Sequence, residues 1–272
     1  MLLRGGGQTK SLSVKAFTLA EVLITIAVVA IIAALTMPGI IGNYKKKVLV
    51  AKLKKTVNTL ENGFTKMMAD DVVFSLEDTK VFSNMVNFRY DLSSFVDSMD
   101  PEDKEFEANL KKYFNIISIE RGKEMLVKPL CSDAPWNSYD KDLAGVIKFS
   151  DGSAIRDAVF FQNKRYELSE DEYNAIRDAG GHLYYYQATF YIDVNADNPP
   201  NTFGRDIFEF LLSSDGKLYP EGSRNYNIWS CKGVCSSLPN HYSCLYRKKP
   251  FKGIPGNDCA GRIIENGWEM DY

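Results

Sequence analysis

An apolar run close to the N-terminus restricts the fold of this chain more than any other feature. Residues 17–41 read FTLAEVLITIAVVAIIAALTMPGII, and Glu21 is the only charged residue among them. At about 1.5 Å per residue, a helix of this length measures roughly 37 Å and exceeds the roughly 30 Å hydrocarbon core of a bilayer. The run therefore predicts a membrane-spanning helix.

Glu21 separates this run from simpler apolar segments. A plain membrane anchor needs no carboxylate, and a secretory signal peptide has a shorter apolar run followed by a small-residue cleavage site. The core helix of a soluble protein would carry more polar residues over this length. A carboxylate inside a membrane costs about 2–3 kcal/mol or more, and such acids are usually paired and functional. We therefore expect Glu21 to have a specific partner.

The residues around Glu21 resemble the processing site of type IV prepilins and type II secretion pseudopilins. The segment KAFTLAE over residues 15–21 lies at the start of the apolar run, as prepilin peptidase sites do. The resemblance implies cleavage between Ala16 and Phe17, with N-methylation of Phe17 and Glu21 as the fifth residue of the mature chain. Pro38 matches the family's helix-kinking proline. Ala16 departs from the family, which usually has glycine before the cut.

The resemblance also implies a function, a location and a set of partners. The chain would be a structural subunit of a type IV pilus or a type II secretion pseudopilus, with no enzymatic activity and no required cofactor. Its partners would be prepilin peptidase, other pilins or pseudopilins in a helical filament, and the inner-membrane assembly machinery. The leader would stay in the cytoplasm while the head lies outside, first at the inner membrane and then in a filament.

The order of segments predicts an α+β, pilin-like fold. We expect a cytoplasmic leader over residues 1–16, a long N-terminal helix over 17–70 whose transmembrane and assembly segment is 17–42, and an extracytoplasmic head over 71–272. Apolar residues at alternating spacings of three and four predict one buried stripe on the second half of the helix. The stripe consists of Val50, Leu53, Val57, Leu60, Phe64 and Met67.

The head shows helical patterns first and strand patterns later. Asp100-Pro101-Glu102 predicts a helix to about Asn115, because proline is favoured at the first helical position. From Leu143 onward the patterns predict an antiparallel sheet and, within it, one further helix. The predicted strands are 145–149, 153–160, 184–194, 206–212 and 217–219, and the predicted helix begins at Ser169 and ends at Gly180-Gly181.

The predicted loop between the two strongest strands has oxygen ligands at alternate positions. Asp193, Asn195 and Asp197 resemble the opening of a calcium loop, and Asp206 closes the segment. The glycine and glutamate of an EF-hand are missing at the required positions. A looser calcium site and an ordinary Asn/Asp/Pro turn, whose side chains bond their own backbone, are both compatible with the sequence.

Cysteine spacing favours disulfides in a loop-rich C-terminal region. The alternative is a zinc site, which usually brings its ligands as two close-spaced pairs, whereas a single pair is closely spaced here. The pairing cannot be read from the spacing, and the odd number leaves one thiol unassigned. The five candidates are Cys131, Cys231, Cys235, Cys244 and Cys259.

Charge distribution argues against a head built for nucleic acid. The chain has a formal net charge of −2, yet residues 1–60 are strongly basic, so the remainder is acidic. Phosphate binding requires clustered Lys and Arg, and in the head the short basic run over residues 246–252 is a weak candidate for it. A minor pilin whose head binds DNA or a surface ligand is therefore the alternative function. A membrane-anchored enzyme ranks below it, because His182 and His241 lie in no catalytic pattern.

Overall fold

The computed structural model describes residues 18–83, 89–92, 101–128, 130, 141–161, 186–221, 256 and 259–272. The chain divides into two compact units, Met1–Lys45 and Lys46–Tyr272. The described part combines long and short helices with an antiparallel sheet, so the α+β class is confirmed at that level. Residues 1–17, which contain the predicted leader, lie outside the described residues.

The first unit is described from Thr18 onward and consists of the N-terminal part of helix α1, Leu19–Asp71. An 18-residue window of this helix has a mean hydropathy of 2.6, and none of that window is buried. By length and composition the segment is able to cross a membrane, and an N-terminal signal sequence meets the same criteria. The helix continues through Pro38, although proline removes one backbone donor.

The second unit begins within α1, and here the helix buries a stripe. The six predicted stripe residues are all buried, which confirms the periodicity. Gly63 lies on the same face, where a Cβ atom would clash with the Phe114 ring. The phenyl ring of Phe64 meets that of Phe114 edge-on at 5.1 Å. Residues 46–71 of α1 belong to the second unit, and the buried stripe is part of its core. The predicted division of the chain at residue 70 stays a prediction.

Besides α1, the described residues form a 3₁₀ turn at Leu76–Asp78, three further α-helices and seven strands. Helix α2 is Lys80–Ser83, strand β1 is Arg89–Asp91, helix α3 is Pro101–Tyr113, and helix α4 is Cys259–Glu265. α3 begins at the predicted proline, and its first-turn acids and last-turn lysines complement the helix dipole.

The sheet of the second unit is antiparallel throughout the described strands. Its order is β2-β3-β4-β5-β6-β7, and β1 pairs with β4. Ile147, Ile155, Ile192 and Phe208 lie opposite one another across four strands and belong to the same core as the α1 stripe. The strands are β2 Ile116–Val127, β3 Lys141–Phe149, β4 Ala154–Phe161, β5 Tyr186–Asp193, β6 Ile207–Ser213 and β7 Leu218–Pro220.

The structure differs from the sequence-based expectations at both ends of the head. Strand β2 follows the helix predicted to end near Asn115 and precedes the first predicted strand, so the sequence did not indicate it. It lacks strict alternation, and its register shifts twice against β3. The C-terminal residues contain helix α4, which the sequence analysis did not predict, before an extended tail. Trp268, Met270 and Tyr272 of this tail pack on the core. The predicted helix from Ser169 to Gly181 lies outside the described residues.

Cys259 alone among the five cysteines lies in the described part of the chain. It is fully buried in α4, while Cys131, Cys231, Cys235 and Cys244 lie outside the described residues. The disulfides therefore stay a prediction.

Candidate functional site

The first turn of α1 is closed by a reciprocal pair, Thr18 and Glu21. The Glu21 carboxylate accepts hydrogen bonds from the Thr18 backbone N–H at 2.9 Å and from Thr18 Oγ1 at 3.0 Å. The Glu21 N–H donates to Thr18 Oγ1 at 3.2 Å. This is a capping box, in which a Ser or Thr and a Glu three residues later satisfy donors that the helix leaves unpaired.

Thr18 is a residue that sequence reasoning missed. The spacing Thr-x-x-Glu before an apolar run is a recognised capping signal, and it was present in the sequence. The cap gives Glu21 a role within its own chain. Because a carboxylate offers about four lone-pair sites, the two hydrogen bonds from Thr18 leave capacity for a further donor or a cation. Ala16 and Phe17 lie outside the described residues.

The loop between β5 and β6 brings the predicted calcium ligands close to two cations. Asp193 Oδ2 accepts a hydrogen bond from Arg156 Nε at 2.7 Å, and both side chains are fully buried. Asp197 is bound by Arg156 Nη2 at 2.7 Å and by Lys148 Nζ at 2.6 Å. Strand register explains the arrangement, since Ala154 and Arg156 on β4 face Asp193 and Tyr191 on β5.

The other two predicted ligands bond within the loop itself. Asp206 accepts hydrogen bonds from the backbone N–H groups of Asn201 and Thr202 at 2.9 and 2.7 Å. The Asn195 side chain donates to the carbonyls of Asn198 and Pro199 at 2.7 and 3.2 Å. These are the side chain-to-backbone bonds of an Asn/Asp turn.

Burial and ion pairing shift the carboxyl pKa values in opposite directions. Burial raises the pKa of Asp193 to about 7, although Arg156 opposes the shift. The Lys148 ammonium holds the pKa of Asp197 at about 2, and Lys123 and Lys148 do the same for Glu120. Burial also raises the pKa of Asp206. The buried carboxyl groups of this cluster therefore take up a proton more readily than exposed ones, while those at its edge are held in the ionised form.

The geometry bears on the calcium prediction in two ways. Asp193 and Asp197 already bind a guanidinium, so a divalent ion at the same oxygens would be repelled by Arg156. The buried Oδ1 atoms of Asn195 and Asn201 have no hydrogen-bond partner, and such oxygens suit a water or a hard cation. Among the described residues, no group of three or more His, Cys, Asp or Glu could hold a metal ion. Calcium binding at Asp193, Asn195, Asp197 and Asp206 stays a prediction.

A second charged cluster joins α3, β1 and β2. Arg121 Nη2 lies 2.5 Å from Asp103, and Arg121 Nε lies 3.4 Å from Glu107. The guanidinium also stacks over the Tyr90 ring at 4.5 Å, and the Tyr90 hydroxyl donates to Glu107 at 2.7 Å. These contacts are buried or nearly so, and they connect three elements of the head. The cluster has the character of a structural ion-pair network.

The residues behind the alternative functions cannot be placed. The basic run over residues 246–252 and the histidines His182 and His241 lie outside the described residues. The DNA-binding and enzymatic alternatives therefore stay predictions.

No family model matches the chain, and neither a curated protein nor a solved structure matches it. The resemblance to prepilins therefore stays a prediction from the residues between Lys15 and Pro38.

Proposed function

We propose that this protein is a pilin-like structural subunit that is inserted in a membrane, processed after Ala16 and assembled through its N-terminal helix. The observation that carries the proposal is the make-up of α1. One continuous helix begins with an exposed apolar segment of membrane-spanning length, capped at Glu21, and ends with a segment that forms part of a globular core.

Assembly would depend on the charge of Glu21. Cleavage after Ala16 leaves a cationic amine on Phe17, at the end of an apolar helix. In the low dielectric of a filament core, that amine and the Glu21 carboxylate of a neighbouring subunit would attract strongly and offset the burial cost of both. The pair would also set the axial register between neighbouring helices.

The partners follow from the same chemistry. Prepilin peptidase would cut the leader and methylate Phe17, and the inner-membrane machinery would draw the subunit into a filament of pilins or pseudopilins. The head over residues 71–272 would lie outside the cytoplasm, where its cysteines could form disulfides. The size of this head favours a minor subunit, because every additional residue must be accommodated around a crowded helical core.

The test compares two variants that both break the capping box. Glu21→Ala removes the cap and the charge, whereas Thr18→Ala removes the cap hydroxyl and keeps the charge. We expect filaments, counted by electron microscopy in a strain that expresses the protein, to be lost or strongly reduced with Glu21→Ala and retained with Thr18→Ala. Equal loss in both variants would show that Glu21 acts only as a cap.

Processing is tested separately by mass spectrometry of the purified protein. The proposal requires a mature chain that begins with N-methylated Phe17. An intact leader, or cleavage after the apolar run, would overturn the prepilin assignment.

A further inference from the structure

The middle of α1 carries an unusual excess of positive charge. Between Val22 and Leu60 the sequence contains six lysines and no Asp or Glu. The first three, Lys45, Lys46 and Lys47, follow Tyr44 directly, where the apolar segment ends. We call these three residues the lysine collar.

The lysines of this stretch differ in whether the head provides a partner for them. Lys55 lies 3.3 Å from Asp151, and the Lys54 ammonium lies over the Trp268 ring at 5.4 Å. Lys45 and Lys47 are exposed, and no carboxylate in the described part of the chain forms an ion pair with them. Within the same helix, therefore, Lys54 and Lys55 contact side chains of the head, whereas Lys45 and Lys47 form no ion pair within the part of the chain that the structure describes.

Helix geometry places the collar beside a lipid surface. Residues Leu19–Asn43 extend about 37 Å along the helix axis, so the next turn falls just beyond a hydrocarbon core of about 30 Å. Successive residues are about 100° apart, and Lys45 and Lys47 therefore project to nearly opposite sides of α1. Charges spread around a helix cannot all face one protein surface, but all of them can reach headgroups. Tyr44, whose exposed fraction is 68%, is a residue type enriched at this depth.

We propose that the lysine collar binds the phosphate groups of anionic lipids in the leaflet on the head side of the membrane. This inference rests on the membrane insertion in the proposed function. Lysines at an exported helix end oppose the positive-inside rule, so they weaken the topological signal. Contact with anionic lipid provides counterions for the three lysines. It also holds the subunit at a defined depth in the membrane until the subunit is withdrawn for assembly. Each lysine near an anionic surface favours binding by about fivefold.

The test uses the full chain reconstituted in phosphatidylcholine vesicles that contain phosphatidylglycerol. Electron spin resonance with spin-labelled phosphatidylglycerol or phosphatidylcholine measures which lipid is immobilised at the protein. We expect the wild type to select phosphatidylglycerol severalfold, and K45Q/K46Q/K47Q to bring the ratio close to one. K45R/K46R/K47R should retain the selectivity because it keeps the charge.

The matched control removes the same charge elsewhere. K66Q/K104Q/K111Q changes one exposed lysine near the end of α1 and two exposed lysines of α3, and it should leave the selectivity unchanged. An equal loss in this control would show that general charge, and not the collar, attracts the lipid. A wild type that selects neither lipid would overturn the proposal.

Insertion is measured on the same vesicles by resistance to alkaline carbonate extraction. If the wild type is extracted, both the membrane step of the proposed function and the collar proposal fail. If it resists extraction but shows no lipid selectivity, only the collar proposal fails.

Discussion

Burial and ion pairing shift the pKa of the Asp193 carboxyl group in opposite directions. Its carboxyl group is fully buried and bound by Arg156, itself fully buried, with one guanidinium nitrogen, Nη1, lacking a hydrogen-bond partner. Buried ion pairs gain attraction but lose hydration, so the net contribution of such a pair to stability is often small. Here burial is the larger effect, and the pKa of Asp193 is raised to about 7.

A pH titration of Asp193→Asn tests this balance. The pKa is raised in the folded state from an unfolded value of about 3.9, so the folded state binds more protons between these values. The contribution of Asp193 to stability is therefore full below pH about 4 and is lost as the pH rises through about 7. We expect the melting temperature of the wild type to fall relative to the variant between pH 5 and pH 8.

Groups that titrate in both proteins change both melting temperatures alike. The difference between the wild type and Asp193→Asn therefore reports on Asp193. Asp197 and Glu120 have lowered pKa values, so their contributions are lost only as the pH falls from about 4 toward 2. A melting-temperature difference that is constant from pH 5 to pH 8 would contradict the raised pKa of Asp193.

At the scale of elements, Arg121 connects a helix and two strands that are distant in sequence. Its guanidinium, on β2, contacts Asp103 and Glu107 on α3 and the Tyr90 ring on β1. Asp103 and Glu107 are one helical turn apart, so both carboxylates lie on the face that meets the strand. None of this was visible in the sequence, because β2 itself was not predicted.

Arg121→Met would leave two buried carboxylates without their cation. We expect a loss of about 3–5 kcal/mol in the free energy of unfolding, since removing one partner of a buried ion pair leaves an uncompensated charge. Denaturant unfolding of the purified protein, followed by circular dichroism, measures the loss.

Lys123→Met serves as the control, because Lys123 lies two residues away and its side chain is 45% exposed. Exposed ion pairs contribute only about 0–1 kcal/mol. Equal losses in the free energy of unfolding would show that the Arg121 ion pairs stabilise the head no more than an exposed ion pair does.

At the scale of the whole molecule, the contacts in the loop between β5 and β6 bear on whether calcium stabilises the head. Arg156 and Lys148 neutralise Asp193 and Asp197, so we expect the melting temperature to be the same in chelator and in millimolar calcium. A ligand that binds only the folded state would raise it. A calcium-dependent rise that Asp197→Ala abolishes would instead support the predicted calcium site.

The parts of the fold that could be predicted are those encoded by local patterns. The α1 stripe, the start of α3 at Pro101 and the hairpin that joins β3 to β4 through Asp151-Gly152 follow from residues close together in the chain. Strand β2 escaped prediction because its bulges disturb the alternation of buried and exposed residues. Helix α4 escaped because it is short and lies among loop signals.

Sequence alone determined the apolar segment and its charges, since the hydropathy of residues 17–41 and the presence of Glu21 do not depend on folding. Tertiary structure alone decided what the loop carboxylates contact. Asp193 and Asp197 have the spacing of metal ligands, but strand pairing brings Arg156 and Lys148 against them from β4 and β3. Hydropathy is a sum over neighbouring residues, whereas an ion pair across a sheet depends on register, and only the folded backbone sets that register.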